Sequence, residues 1–216
     1  MRAIFVLVFS EANHFSFSIF AGTFRNHMAN KMTSCNYIFT SERLGFRKWT
    51  NCDLVEFAQL NSDEKVMEHF PKTLSKKEVE QLLNKFNVHL MEKGYTYYAV
   101  ELHDTNEFIG MIGLAYQEYK TDFTPAIDIG WRLKRSAWGM GYATEGAKRC
   151  IEYVFNVLKI NTLIAVCTIH NQKSENVMKK IGMTKRGEFN HPKLLNQPNH
   201  IRHQCYDIKN PFNNSQ

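Results

Sequence analysis

The chain has 216 residues, enough for one substantial core and too few for two comfortable domains. Hydrophobic residues make up 44% and charged residues 22%, an ordinary globular composition, and no apolar run reaches the roughly 18 residues of a membrane helix. Lys and Arg number 27 against 21 Asp and Glu; the formal +6 suits an anionic ligand such as a phosphorylated cofactor, an acidic surface, or plain solubility.

Residues 1–36 begin with a basic start and a short apolar stretch, Met1 to Phe9. The stretch lies at the short limit for a secretory signal, and Glu11, Asn13 and His14 follow without a small-residue cleavage site. Met28 and Met32 are alternative starts. The segment is read as a weakly ordered or spurious extension. One domain is expected over residues 37–210, with a frayed polar tail over 211–216.

Ile38 to Thr40 and Leu44 to Trp49 read as short strands around a polar turn. Asp53 is placed to cap a helix through Leu54, Phe57, Ala58 and Leu60. Ser75 and Glu78 have capping-box spacing, Val79, Leu82, Leu83, Phe86 and Leu90 follow at helical spacing, and Gly94 stops that helix. The pattern then changes to strands at Tyr97 to Leu102, Phe108 to Tyr116 and Pro125 to Leu133. After Gly141 an apolar face runs through Ala143, Ala147, Ile151, Val154, Phe155 and Leu158, with Asn161 as its expected end. Thr162 to Thr168 is near-continuously apolar, a strand for the middle of a sheet. A helix from Asn171 to Gly182 and strands at Met183 to Glu188 and His203 to Ile208 complete one α/β domain with a mixed sheet.

The five cysteines, Cys35, Cys52, Cys150, Cys167 and Cys205, are scattered without CxxC spacing, so neither a disulfide framework nor a zinc site is indicated and a cytoplasmic location fits. His170, His191, His200 and His203 are irregularly spaced, and no metal is expected. No run of five or six like charges forms a nucleic-acid tail, so no direct nucleic-acid partner is expected.

Trp138-Gly-Met-Gly-Tyr-Ala sets two glycines one residue apart ahead of a helix. The glycines permit a tight turn, and the unpaired N–H groups of the helix start face it, which suits a pyrophosphate. A plain strand-to-helix turn explains the same residues. A dinucleotide fold is disfavoured because the third glycine is missing, and a P-loop is excluded because no Gly-Lys-Ser/Thr follows.

Several ordered motifs give this turn its meaning: Arg43-Leu with Trp49, Phe108 to Leu114, Ile127 to Leu133, Trp138 to Glu145, and Asn171 to Met183. Together they resemble the GNAT superfamily of acyl-CoA N-acyltransferases, in the branch that acetylates ribosomal-protein N-termini, over roughly Thr40 to Lys209. The resemblance implies a mixed, mostly antiparallel sheet flanked by helices and splayed where CoA binds. It implies acetyl-CoA as co-substrate and a primary amine as acceptor, either a protein N-terminus or a small molecule, with a homodimer compatible and no membrane partner. The family's phosphate loop begins with Gln or Arg where this chain has Trp138. Carried over by position, the pyrophosphate falls on the amides of Gly139, Met140, Gly141, Tyr142, Ala143 and Thr144. The pantetheine arm then runs along Trp131, Arg132 and Leu133, with Asn171 bonding it and Ser174 close by.

Amine attack on a thioester needs a neutral amine, a donor for the oxyanion and a stabilised thiolate. Asp128 is the first candidate base, on the strand where this branch commonly carries Glu. A carboxylate pointing to solvent is its plainer reading. Glu145 in the next helix's first turn is better explained by the helix dipole. Many relatives carry a Tyr acid where this chain has Met178, so Ser174 is the replacement to test and Tyr206 a weaker second. The resemblance implies direct transfer in a ternary complex. The Asp-for-Glu and Met-for-Tyr differences motivate an alternative, a non-catalytic CoA-binding sensor or interaction module.

Overall fold

A computed structural model describes residues 37–211. The expectations for residues 1–36 and for the tail beyond 211 lie outside the described residues. Eight strands form one sheet in the order β1-β2-β3-β4-β5-β6-β8-β7. They are β1 (Phe39–Thr40), β2 (Leu44–Arg47), β3 (Tyr97–Leu102), β4 (Phe108–Thr121), β5 (Thr124–Leu133), β6 (Thr162–Thr168), β7 (Thr184–Asn190) and β8 (Arg202–Lys209). Every neighbouring pair is antiparallel except β5 with β6, which is parallel and registers at a single pair, Asp128 opposite Ile164. Beyond Asp128 the two strands part, so the sheet is splayed towards their C-terminal ends.

Four helices cover the two faces. α1 (Leu54–Ser62) and α2 (Lys76–Lys93) bury Phe57, Leu60, Val79, Leu83 and Phe86 against Trp49, Ala99 and Met111. α3 (Tyr142–Asn156) and α4 (Gln172–Lys180) bury Ala147, Val154 and Met178 in the other apolar layer, with Ile112, Leu114, Ile129 and Leu133. Fully burying each such aliphatic or aromatic side chain stabilises by about 1.5–3 kcal/mol. Ser75 and Glu78 form the expected capping box, and Gly94 closes α2 at φ 76°.

Three local expectations change. Asp53 precedes α1, but its carboxylate does not cap it. It accepts from the Thr50 amide at 2.7 Å and the Thr50 hydroxyl at 2.9 Å, closing a 3₁₀ turn over Asn51–Asp53. α3 stops at Asn156, short of Asn161, and Lys159 turns the chain at φ 56°. β4 runs past Tyr116 to Thr121, because polar residues from Gln117 onward continue the pairing with β5 as a hairpin. Their polarity reads as turn, yet their alternation is that of a half-exposed strand.

An ion triad ties this frame together. Arg47 donates through both terminal nitrogens to Asp53, at 2.8 and 2.7 Å, and through Nε to Glu101 at 2.8 Å. Burial opposes the charge on Arg47, but the two carboxylates outweigh it and hold the guanidinium above its ordinary range. The triad joins β2, the turn before α1, and β3, and so fixes where α1 begins. Arg47→Met leaves two buried carboxylates without their cation, and we expect a loss of about 3–5 kcal/mol in urea unfolding. A loss below about 1 kcal/mol contradicts this role for the triad.

Candidate active site

The site is built at the parting of β5 and β6. Side chains alternate along β5, so Asp128, Gly130 and Arg132 share one face while Ile129, Trp131 and Leu133 face the α3–α4 layer. The Asp128 face belongs to α1, α2 and the loop between them.

Asp128 does not point to solvent. It is 6% exposed and accepts from the Tyr97 hydroxyl at 2.9 Å and from the Gln117 amide at 3.0 Å. Burial raises its pKa to about 6, even though both hydrogen bonds favour the charged form. Tyr97 reaches it because position 130 is glycine: a Cβ there would stand 3.1 Å from the tyrosine ring and hydroxyl. Neither Tyr97 nor Gln117 was expected at the site. The extended alternation of Gln117 and Tyr119 in β4 was the available signal for the latter.

The loop between α1 and α2 spans the gap. His69 Nδ1 lies 3.4 Å from the Thr168 hydroxyl at the end of β6, and the Phe70 ring lies under the Arg132 guanidinium at 4.1 Å. Arg135, just after β5, pairs with Asp63 at 3.7 Å. The same loop therefore contacts both parted strands.

At the end of β5 the chain turns through Trp138, Gly139 at φ 76°, Met140 and Gly141 at φ 83° into α3. No side chain caps α3, so the first-turn amides of Tyr142, Ala143 and Thr144 carry no such partner. Two left-handed glycines with an uncapped helix start form a cradle that fits a pyrophosphate. Trp138 fastens this turn: its indole N–H donates to the Leu133 carbonyl at 2.9 Å, and Lys173 Nζ lies over its ring at 4.1 Å. Glu145 is neutralised where it would repel an anion. It pairs with Arg43 at 2.7 Å and accepts from the Ser41 hydroxyl at 2.7 Å, so it clamps the β1–β2 turn to α3. Arg43 is thus the residue that makes a carboxylate tolerable beside the cradle.

Across the gap, Asn171 caps α4 by accepting from the Ser174 amide at 3.0 Å, while its own side-chain N–H groups and the Ser174 hydroxyl have no partner among the described residues. Tyr206 behaves differently. Its hydroxyl donates to Glu175 at 2.6 Å, and burial with that carboxylate pushes its pKa up to about 12. Its proton points at Glu175, which Lys179 holds at 2.7 Å. Cys167 is buried with its thiol pushed up to about 11, the state of an inert thiol. The His191 and His203 rings meet with centroids 5.0 Å apart, but among the described residues no group of three or more His, Cys, Asp or Glu is placed to hold a metal. No helix among them is long and apolar enough to cross a membrane. A shallow cleft of about 440 Å³ lined by Tyr116, Phe123, Pro125, Ile127 and Ile164 lies on the N-terminal side of the Asp128–Ile164 pair, away from the cradle.

The family model for the acetyltransferase (GNAT) domain matches residues 43–184. The Bacillus subtilis (strain 168) protein named uncharacterized N-acetyltransferase YnaD is 31% identical over 151 residues, 69% of this chain and 84% of that protein. The solved structure of a GNAT-family acetyltransferase from Bacillus anthracis superposes with a TM-score of 0.65 at 28% identity, covering 79% of this chain and 97% of the other. The ribosomal L7/L12 α-N-protein acetyltransferase RimL, solved in complex with coenzyme A, shares the fold at a TM-score of 0.65 and 18% identity, covering 80% of this chain and 97% of its own. The uncapped cradle, the parted strands and the match over most of the domain lead to one conclusion: this chain belongs to the GNAT acetyltransferase family and is an N-acetyltransferase that uses acetyl-CoA as its co-substrate.

Proposed function

We propose that the chain transfers acetyl directly from acetyl-CoA to a primary amine, a protein N-terminus or a small amine, with Asp128 as the proton acceptor. The buried Asp128 carboxylate at the head of the gap carries this reading. An amine of pKa near 8 to 10 is mostly cationic at neutral pH and cannot attack until it loses a proton. A carboxyl group with a pKa near 6 is ionised at pH 7 and is a better base than one near 4. Tyr97 and Gln117 fix its orientation and leave the remaining lone pairs for the amine or one bridging water.

Acetyl-CoA supplies an activated thioester, and the chain's own groups do the rest. The β6-facing main chain of Trp131 to Leu133, unpaired beyond Asp128, hydrogen-bonds the pantetheine arm as an added strand would. Asn171 assists from the other side of the gap with its free side-chain amide. The amides from Gly139 to Thr144 hold the pyrophosphate. A main-chain N–H of the Asp128 to Trp131 segment donates to the oxyanion. Ser174, whose hydroxyl is unengaged, donates to the departing thiolate; Tyr206 is the poorer donor because Glu175 holds its proton.

Two outcomes test this assignment. Asp128→Asn should lower kcat by about 10² or more while leaving the acetyl-CoA Kd unchanged. For the wild type, kcat/KM should fall on the acid side with a midpoint near pH 6, as the carboxylate takes up its proton. The stability effect has the opposite sign. The folded pKa lies above the unfolded value of about 3.9, so the native state binds the extra proton. Stability from this group is therefore lost as pH rises from about 4 to 6, by about 3 kcal/mol. Asp128→Asn should then melt no lower than wild type at pH 7, and an unchanged rate removes Asp128 from the mechanism. Separately, Gly141→Ala puts a Cβ on a residue at φ 83°. The strain, about 1–2 kcal/mol, should weaken acetyl-CoA binding by about tenfold in calorimetry; an unchanged Kd would show that the turn's geometry does not matter.

A further inference from the structure

We propose that Arg132 receives a carboxylate of the acceptor, so that the amine this enzyme acetylates belongs to a molecule or peptide bearing an acidic group. The inference rests on the acetyl-transfer reading above and concerns the face of β5 that carries Asp128.

Among the described residues Arg132 has no counter-ion. Every other arginine whose side chain is mostly buried in the domain is neutralised, as Arg47 is by Asp53 and Glu101. Arg132 forms no salt bridge among the described residues. Its Nη1 donates to Asn61 Oδ1, a neutral amide, and the guanidinium lies over the Phe70 ring. Nε is buried without a hydrogen-bond partner among the described residues. Burial alone brings the pKa down to about 10, and no carboxylate acts to raise it, so the group stays charged at neutral pH. A half-buried, unpaired charge whose Nε donor is shut off from water without a partner is a costly arrangement that folding does not produce for its own sake. A neutral side chain of the same length would pack against Phe70 without that cost.

The position says what the charge is for. Arg132 shares its face of β5 with Asp128 and Gly130, and no bulge interrupts the strand between them. Asp128 and Arg132 thus stand four residues apart on one wall, about 13 Å between Cα atoms. The wall is covered by the loop that carries His69 and Phe70 across the parted strands. Asn61 is itself held, donating to the Phe57 carbonyl at 2.6 Å, so it presents Oδ1 to Arg132 as a fixed bracket. The bracket orients the guanidinium and leaves Nε and Nη2 for a further acceptor atom. One carboxylate accepting both is the geometry for which a guanidinium fork is suited. This face of β5 then has an anion for the attacking amine at one end and a cation for an acid group at the other.

The test compares matched acceptors: γ-aminobutyrate against butylamine, and a peptide beginning Ala-Asp against one beginning Ala-Asn. We expect kcat/KM to favour the acidic member of at least one pair by about tenfold or more, and the pair that shows it identifies a small molecule or a peptide as the source. In Arg132→Met the preference should vanish, with the melting temperature lowered only modestly, because the buried Asn61 Oδ1 loses its donor while the uncompensated charge is removed. Arg132→Lys should keep part of the preference. A preference that survives Arg132→Met, or equal rates within both pairs in wild type, overturns the proposal while leaving acetyl transfer intact. Weaker acetyl-CoA binding in Arg132→Met without a change in preference assigns the guanidinium to the cofactor's phosphates and also overturns it. If none of these amines turns over, calorimetry with glutarate on the protein–CoA complex decides. Binding lost in Arg132→Met supports an anion site; no binding to wild type removes it.

Discussion

The parallel contact between β5 and β6 governs everything else in this protein. Antiparallel neighbours hold register over many residues, as β6 and β8 do from Thr162 to Thr168. β5 and β6 register only where Asp128 faces Ile164. A sheet that parts at its centre leaves main-chain donors and acceptors without a strand partner, and such groups need another one. The gap therefore asks for an extended ligand with alternating hydrogen-bonding groups. The turn at Gly139 and Gly141 asks for an anion at its end. Acetyl-CoA meets both demands, which links the sheet's topology to the family's co-substrate.

Burial of charge follows one logic across the domain, with three outcomes. Arg47 is buried and fully paired, and serves the frame. Asp128 is buried and hydrogen-bonded but unpaired, and the cost appears as a raised pKa that suits a base. Arg132 is half-buried with a single neutral hydrogen bond and the Phe70 ring beneath it, and among the described residues no carboxylate pairs with it. Glu145 shows how an unwanted charge is removed: at a helix start meant for an anion, Arg43 and Ser41 absorb it.

Most of the fold was legible in the sequence because local rules and tertiary demands agree there. The Ser75–Glu78 box, the Gly94 stop and the apolar run from Thr162 to Thr168 each say one thing. The end of β4 was not legible: Gln117 to Thr121 is polar, and only pairing with β5 makes it a strand. The turn at Gly139 and Gly141 ahead of α3, on which the proposed donor half rests, could be read from the sequence. The acceptor half could not, because Tyr97, Gln117, Asn61 and Phe70 converge on β5 from distant segments. Asp128 stands out in the sequence as a strand carboxylate, but its environment does not: strand alternation alone leaves open whether a carboxylate faces water or the covered side of the sheet. Trp138 stands where the family's phosphate loop usually begins with Gln or Arg, a change that leaves the turn's backbone N–H groups in place. Its bond to the Leu133 carbonyl makes it the fastening of the turn.

The central claim is that the fold holds Asp128 as a carboxyl group poised to take a proton near neutral pH. The most direct measurement is the carbon-13 NMR titration of its side-chain carboxyl in the protein without ligands, assigned by comparison with Asp128→Asn. The account predicts a midpoint near pH 6. A midpoint near 4, the ordinary value for a solvated aspartate, would contradict it.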